Sequence, residues 1–510
     1  MVVRMKKEER FFDYSMYFNT VFCIAIILFA GLSFFKVFYS DGLFVDTLEH
    51  IRASYFIENG LLPYKDFFEH HNPLLWFMLA PLTKILEGNL IIVDVVRTLS
   101  VVGYGVCIYL MYVINAKFLY GKKVAKYSTL LLLAVPVWRD IANIRPDIFM
   151  MICFLGALYL FYSYREKKNA MKLIVCYTLL SVSFLFLQKV LFLIAGFGVV
   201  NLWMLYKKEI RIKDFIAACV IGSVPLVLFG IYLLYEGIFA DWFYYNFTFN
   251  TLMQKYYGHF QAVEVSVKVL FIVSLIIIFK QYANDEKALP VFVLTLCSGL
   301  SLFWFFPHPQ YSIPYFLLAS VYFGKFCEDI KIFEHKGLFI LGMAFLLIAV
   351  LSSYPQRNEI KGHQYSMKTM AYINQIEKDK SIVPVTIMQY PIFTMPAHYY
   401  WFGYLSVAIV DVLYTPGKYF DFDAFLKEKR PDYIVYTVPI EGIILPEHII
   451  FYHRAWFVRR NAQIIRKMRE YPKLRSQLIS IDADFWKIDE AWIKENYERI
   501  DGTDVYKRKN

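Results

Sequence analysis

The segment PYKDFFEHHNPLLW, residues 63–76, sets Asp66, Glu69, His70 and His71 almost side by side and then runs straight into apolar sequence. Carboxylates and imidazoles this close can exchange protons with a substrate, hold a divalent cation or hydrogen-bond a polyhydroxylated ligand. Asp46, Glu49 and His50 lie just upstream. Farther on, WRDIANIRPD supplies Arg139, Asp140, Arg145 and Asp147, Gln188 and Lys189 close an apolar stretch, and FPHPQY supplies His308 and Tyr311. A carboxylate at a water interface can accept a proton from an attacking hydroxyl. Fixed Arg and Lys side chains can hold a phosphate and stabilise charge that develops on it.

These groups must be positioned by membrane-grade elements. The chain has 510 residues, of which 58% are hydrophobic, 19% aromatic and only 19% charged. Its mean hydropathy is +0.43. Those values predict a polytopic α-helical membrane protein. The run from Met16 to Phe38 is long enough to span a bilayer and has no small-residue cleavage site, so it reads as a retained first helix. Apolar spans begin near residues 16, 90, 125, 146, 171, 190, 214, 264, 289, 312 and 337, about eleven in all. Residues 73–86 are apolar but too short to span, and read as an interfacial helix.

The net charge of +11 is spread as RMKKEER, KFLYGKK, YREKK, KKEIRIK and FEHKG, between apolar spans. That spacing fits cytoplasmic helix ends rather than a nucleic-acid surface. The N-terminus is then cytoplasmic, and all four chemistry-bearing clusters fall on the extracytoplasmic side. The seven cysteines show no metal-ligand spacing and read as small residues in or beside spans. After Tyr354 charges and prolines become frequent. SIVPVTIMQY and RPDYIVYTVP read as strands, the second preceded by a helical FDAFLKEK. The expected organisation is a membrane domain over 1–355, with a large first outer loop at 39–89, followed by an extracytoplasmic α/β domain over 356–510.

Charged groups at membrane depth are costly unless paired or hydrated, so a set that converges on one face marks a site. Taken singly, each has a plainer role. Asp46 suits a helix N-terminus, Arg145-Pro146-Asp147 suits a salt-bridged helix start, and Lys189 can snorkel to headgroups. His70 and His71 can be surface or aromatic-belt residues. The sequon at Asn246 carries no weight. Base, cation and apolar groove together describe sugar transfer from a lipid-phosphate carrier. The rivals are a multi-pass transporter or flippase, whose internal repeats and midplane charges are not visible here, and a membrane scaffold or receptor with its tail as ligand-binding module.

The residues also carry a resemblance. The chain is similar to the GT-C glycosyltransferases of the protein O-mannosyltransferase and aminoarabinose transferase type. The matching features are Phe44-Val45-Asp46 after the first span, the stretch from Gly60 through Pro63-Tyr64, Asp66-Phe67-Phe68 and His71 to Trp76, the RPD at 145–147, Lys189, and HPQYSIP before the span near 312. The resemblance implies a GT-C fold, a polyprenyl-phosphate sugar donor and inverting transfer to an acceptor lipid, glycan or protein. It implies that Asp46 is the general base, while the second-carboxylate role, which Thr47 cannot fill, is vacant or passes to Glu49. Arg145, Lys189 and Gln188 would serve the donor phosphate, and Asp147 would orient Arg145 or the acceptor. Asp66, Glu69, His70, His71, His308 and Tyr311 would face donor or acceptor. It further implies a divalent metal on Glu69 with His308, although the family's Lys-Pro is replaced here by His70-His71.

Overall fold

The computed structural model describes residues 15–39, 45–134, 141–252, 285–304, 309–332, 357–384, 391–395, 422–435 and 489–509, with isolated positions at 272–279 and 340–344. The expected spans from residues 264 and 337 fall largely outside them, as do His308, Arg139 and Asp140.

The described chain is mainly helical. The apolar runs form α1 (Ser15–Tyr39), α4 (Ile91–Phe118), α6 (Pro146–Lys167), α7 (Ala170–Phe186) and α8 (Leu191–Tyr206). Between them lie α2 (Val45–Glu58), α3 (Leu74–Ile85) and α5 (Lys122–Leu133). Then follow α9 (Ile212–Gly222), α10 (Val224–Tyr235), α11 (Phe239–Phe243), α12 (Leu289–Trp304) and α13 (Ile313–Asp329). Five described segments are long and apolar enough to cross a bilayer: Phe18–Tyr39, Ile91–Phe118, Pro146–Lys167, Gln188–Tyr206 and the α9–α10 pair from Ile212 to Tyr235. At 1.5 Å per residue, α4 alone extends about 42 Å. The protein is a multi-pass membrane protein. Residues 74–85 form the short apolar helix α3, whose Leu75, Trp76 and Leu79 are buried while Phe77, Met78 and Ile85 are exposed.

Helix ends follow local chemistry. Pro146 opens α6 at the position where its missing N–H costs nothing. At the far end, Lys168 takes a left-handed conformation as C-cap, and the Asn169 side chain then caps α7 through Met171 N at 3.0 Å. That end is crossed by ion pairs such as Arg165–Glu209 at 2.9 Å. The opposite end, where α4, α6 and α8 begin and α1 and α7 finish, is called here the loop end.

Close helix contact rests on small residues, as expected where lipid is as apolar as leucine. A Cβ built on Gly324 of α13 would lie 2.2 Å from Ser128 Oγ, and 2.8 Å from both Ser128 N and Val124 O of α5. Backbone atoms cannot rotate away. Gly324→Val is therefore expected to cost about 3 kcal/mol by overpacking. A drop in thermal midpoint in detergent, with unchanged membrane insertion, would be the readout; an unchanged midpoint would contradict it.

Past the bundle, α14 (Arg357–Ile373) leads to β1 (Ile382–Pro384), α15 (Phe422–Lys429) to β2 (Tyr433–Val435), and α16 (Glu490–Asn496) to β3 (Tyr497–Arg499) and β4 (Val505–Arg508). The sheet order is β1-β2-β4-β3, with β1 parallel to β2 and the remaining pairs antiparallel. Period-two alternation gives it two buried faces. Val383, Ile434 and Tyr506 pack with Leu426 and Ile493 of the adjacent helices. Ile382, Val435 and Val505 point the other way and join the core that continues into the bundle. This α/β unit touches α2 directly. Arg52 donates to Pro391 O, and Tyr55 meets Phe393 edge-on at 5.4 Å.

Candidate active site

α2 lies at the loop end and carries Asp46 in its first turn. Asp46 is ion-paired with Nη1 of Arg145, the residue that caps α6. Nε of the same guanidinium lies 3.2 Å from Asp147 Oδ2, so one fork spans two carboxylates. The Arg145 guanidinium lies 5.8 Å from the Tyr311 ring centroid. Lys189 Nζ sits 3.2 Å above that same centroid. Residues from α2, the start of α6, the turn before α8 and the turn before α13 thus meet around one phenol. Arg145 and Asp147 are buried; Asp46, Lys189 and Tyr311 are half-buried.

The segment leading to Arg145 is held from two sides. Thr47 Oγ1 lies 2.5 Å from Asn143 Oδ1 and accepts from Ile144 N at 3.3 Å. Ser100 Oγ lies 2.9 and 3.0 Å from the Ile141 and Asn143 carbonyls. Arg97, fully buried, donates to Val37 O at 2.6 Å, Lys36 O at 2.8 Å and Ala142 O at 3.3 Å. It ties the end of α1 to the approach of α6. These carbonyls would otherwise be orphans at a helix end. Sequence reading passed over Arg97, Ser100 and Asn143, because their partners are backbone atoms that no side-chain motif reveals.

Glu49 and His50 face a second cluster. The rings of His50 and His71 meet edge-on at 5.6 Å, and Trp76 Nε1 donates to His50 Nδ1 at 3.0 Å. His71 Nδ1 lies 3.7 Å from Glu69 Oε2 and 4.0 Å from Glu49 Oε1. Burial, and then the Glu69 charge, hold the Glu49 carboxyl well above the usual carboxylate range. Burial lowers His50 and His70 to about 3, opposed by Asp147 at His50 and reinforced by Lys189 at His70. Glu49 belongs to this buried set rather than to the Asp46 ion pair.

The opening loop has a defined scaffold. Asp66 is exposed, and its carboxylate accepts from Leu62 N at 2.7 Å, closing a turn. Tyr64, in the left-handed region at φ 70°, donates to His71 O at 2.6 Å. Gln188 does not point to the Arg145 cluster. Its amide donates to His70 O and Asn246 O, both at 3.2 Å. Asn72 bonds Phe184 O at 2.6 Å and accepts from Trp242 at 2.8 Å. Asn246, the sequon asparagine, is buried in a π-helical turn over Tyr244–Phe249. His70 lies against Phe68 and Phe249.

Residues 70–235 match the family model described as dolichyl-phosphate-mannose-protein mannosyltransferase. Among solved structures, the chain is similar to ArnT from Cupriavidus metallidurans bound to undecaprenyl phosphate, with a TM-score of 0.52 and 10% identity over 81% of this chain and 91% of that one. The fold is GT-C. The apo crystal structure of the same ArnT aligns with a TM-score of 0.49 and 11% identity over 76% and 85% of the two chains. No curated protein sequence matches this chain. The family-model match begins at His70, inside the acid–imidazole loop, and takes in Arg145, Asp147 and Lys189.

A metal at Glu69 is compatible with what surrounds it. Glu49, Glu69 and His71 each offer a buried ligand atom, and those atoms all lie within 4.8 Å of one another. Two carboxylates and a neutral imidazole are a donor set that a divalent transition metal accepts.

Proposed function

We propose that this chain is an inverting glycosyltransferase that moves a sugar from a polyprenyl-phosphate donor to an acceptor hydroxyl on the extracytoplasmic face of the membrane. The observation that carries the reading is the meeting of Asp46, Arg145 and Lys189 around Tyr311 at the loop end of a lipid-embedded bundle. The GT-C fold and the mannosyltransferase family match support it.

In this reading the donor phosphate enters between Arg145 and Lys189. A phosphate competes with Asp46 for the guanidinium, so donor binding frees the carboxylate to act as base. Asp46 then takes the proton of the acceptor hydroxyl, and the oxygen attacks the anomeric carbon opposite the phosphate. The bond from that carbon to the phosphate oxygen breaks, and its electron pair stays with the phosphate. Arg145 and Lys189 stabilise the added charge. Asp147 holds the guanidinium in plane throughout. A divalent ion near Glu69 would add fixed positive charge beside the donor's polar end.

The N-terminus is cytoplasmic in this reading, and residues 356–510 form an extracytoplasmic domain that receives the acceptor through its contact with α2. Lys189→Ala is expected to weaken donor affinity about 10–100-fold, the loss of one charge-assisted contact of about 1.5–3 kcal/mol. The assay incubates purified protein with a panel of polyprenyl-phosphate sugars and follows release of the free lipid phosphate. Translocation of the lipid in proteoliposomes without its release would instead indicate a flippase and overturn the proposal.

A further inference from the structure

We infer that Glu49, Glu69 and His71 form a binding site for one divalent transition-metal ion, with a ligand set that replaces His308 by Glu49 and His71. The inference extends the sugar-transfer reading but does not depend on it, since metal content can be measured without turnover.

The geometry is that of a built site. Glu49 sits one turn beyond Asp46 on α2, while Glu69 and His71 flank His70 on the loop, so two separately fixed segments deliver the three ligands. Glu49 is 2% exposed and His71 8%. Glu49 Oε1 and His71 Nδ1 lie 4.0 Å apart, and neither of these two atoms has a hydrogen-bond partner among the described residues. A buried polar atom without a partner is uncommon, and two side by side, next to a third buried ligand atom, suit a shared cation. Metal–ligand bonds of 2.0–2.1 Å in tetrahedral array place adjacent ligand atoms about 3.4 Å apart. The His71–Glu69 and His71–Glu49 separations of 3.7 and 4.0 Å need to shrink by only a few tenths of an ångström. Two carboxylates supply the countercharge for a divalent ion and also suit manganese, and the imidazole favours zinc over magnesium or calcium.

The surroundings fix the ligands. The Tyr64 hydroxyl grips the His71 carbonyl at 2.6 Å. Trp76, bonded to His50 Nδ1, holds that ring edge-on against His71. Such outer contacts orient metal ligands. An ion here would lock α2 to the loop, beside the helix turn that carries Asp46.

The test uses the full chain in detergent, stripped with chelator, re-exposed to zinc or manganese and desalted. Metal content is then measured by mass spectrometry, and thermal midpoint with and without metal. The expected result is about one equivalent per chain and a raised midpoint. Glu49→Gln and His71→Gln should each lower metal content at least tenfold and abolish the midpoint shift, while His308→Ala and the surface control Glu58→Gln keep both. If a variant fails to fold, the wild-type protein still decides through Co(II) loading, whose visible absorption reports inner-sphere coordination. Absence of stoichiometric metal in the folded wild-type chain overturns the site. Loss of metal in His308→Ala with retention in Glu49→Gln overturns the ligand set.

Discussion

Replacing Asp46 by Asn is expected to lower sugar transfer by about 10²–10⁴-fold, the usual contribution of a positioned general base. The amide keeps the size of the carboxylate and can still bond Arg145 through its oxygen. It cannot accept the acceptor proton. Arg145 is also held by Asp147 at 3.2 Å, so its guanidinium is not left alone when the first carboxylate is neutralised. Donor binding is therefore expected to stay the same or tighten slightly, because the phosphate no longer competes with Asp46 for the guanidinium. The measurement is turnover against donor affinity in the same preparation. A fully active Asp46→Asn removes the base assignment; loss of donor binding with a fall in thermal midpoint makes Asp46 a structural acid.

Arg145→Gln is expected to affect both folding and chemistry. Removing one partner of a buried ion pair leaves the others uncompensated, at about 3–5 kcal/mol. Asp46 and Asp147 would both be stranded, and the carboxylate beside the acceptor would repel the phosphate it is meant to follow. Turnover should fall by about 10³-fold through loss of charge stabilisation on the leaving group. Arg145→Lys separates the two effects. It keeps the charge, and should recover most of the thermal midpoint, but a point charge cannot span Asp46 and Asp147 as a fork does. A residual defect of about 10–100-fold is expected from misplacement alone. If Arg145→Lys restores both midpoint and turnover, the fork geometry is irrelevant.

The sequence exposed what depends on composition along the chain. Apolar runs bounded by basic clusters located α4, α6, α8 and α9 to within a few residues, because span length is set by bilayer thickness. Arg145-Pro146-Asp147 was readable as a helix start, since proline and a first-turn acid belong there. FDAFLKEK is helix α15 at Phe422–Lys429. Contacts through space were not legible. Nothing adjacent in sequence says that Thr47 meets Asn143, that Trp76 meets His50, or that Arg97 collects three carbonyls from α1 and the α6 approach. Gln188 and Lys189 read as a pair but part company. Lys189 turns to Tyr311, while Gln188 turns to His70 and Asn246, because a 3₁₀ turn of 120° per residue sends neighbours to different sides.

The helix α2 has a further consequence for how this region can vary. Asp46 addresses Arg145, Glu49 and His50 the acid–imidazole set, and Arg52 and Tyr55 the α/β unit. Each residue of an α-helix advances the azimuth by about 100°. Inserting or deleting one residue between Asp46 and Arg52 would throw these stations out of phase, like teeth slipped on a camshaft. Side chains on this helix can be exchanged one at a time, but its length is locked by its timing.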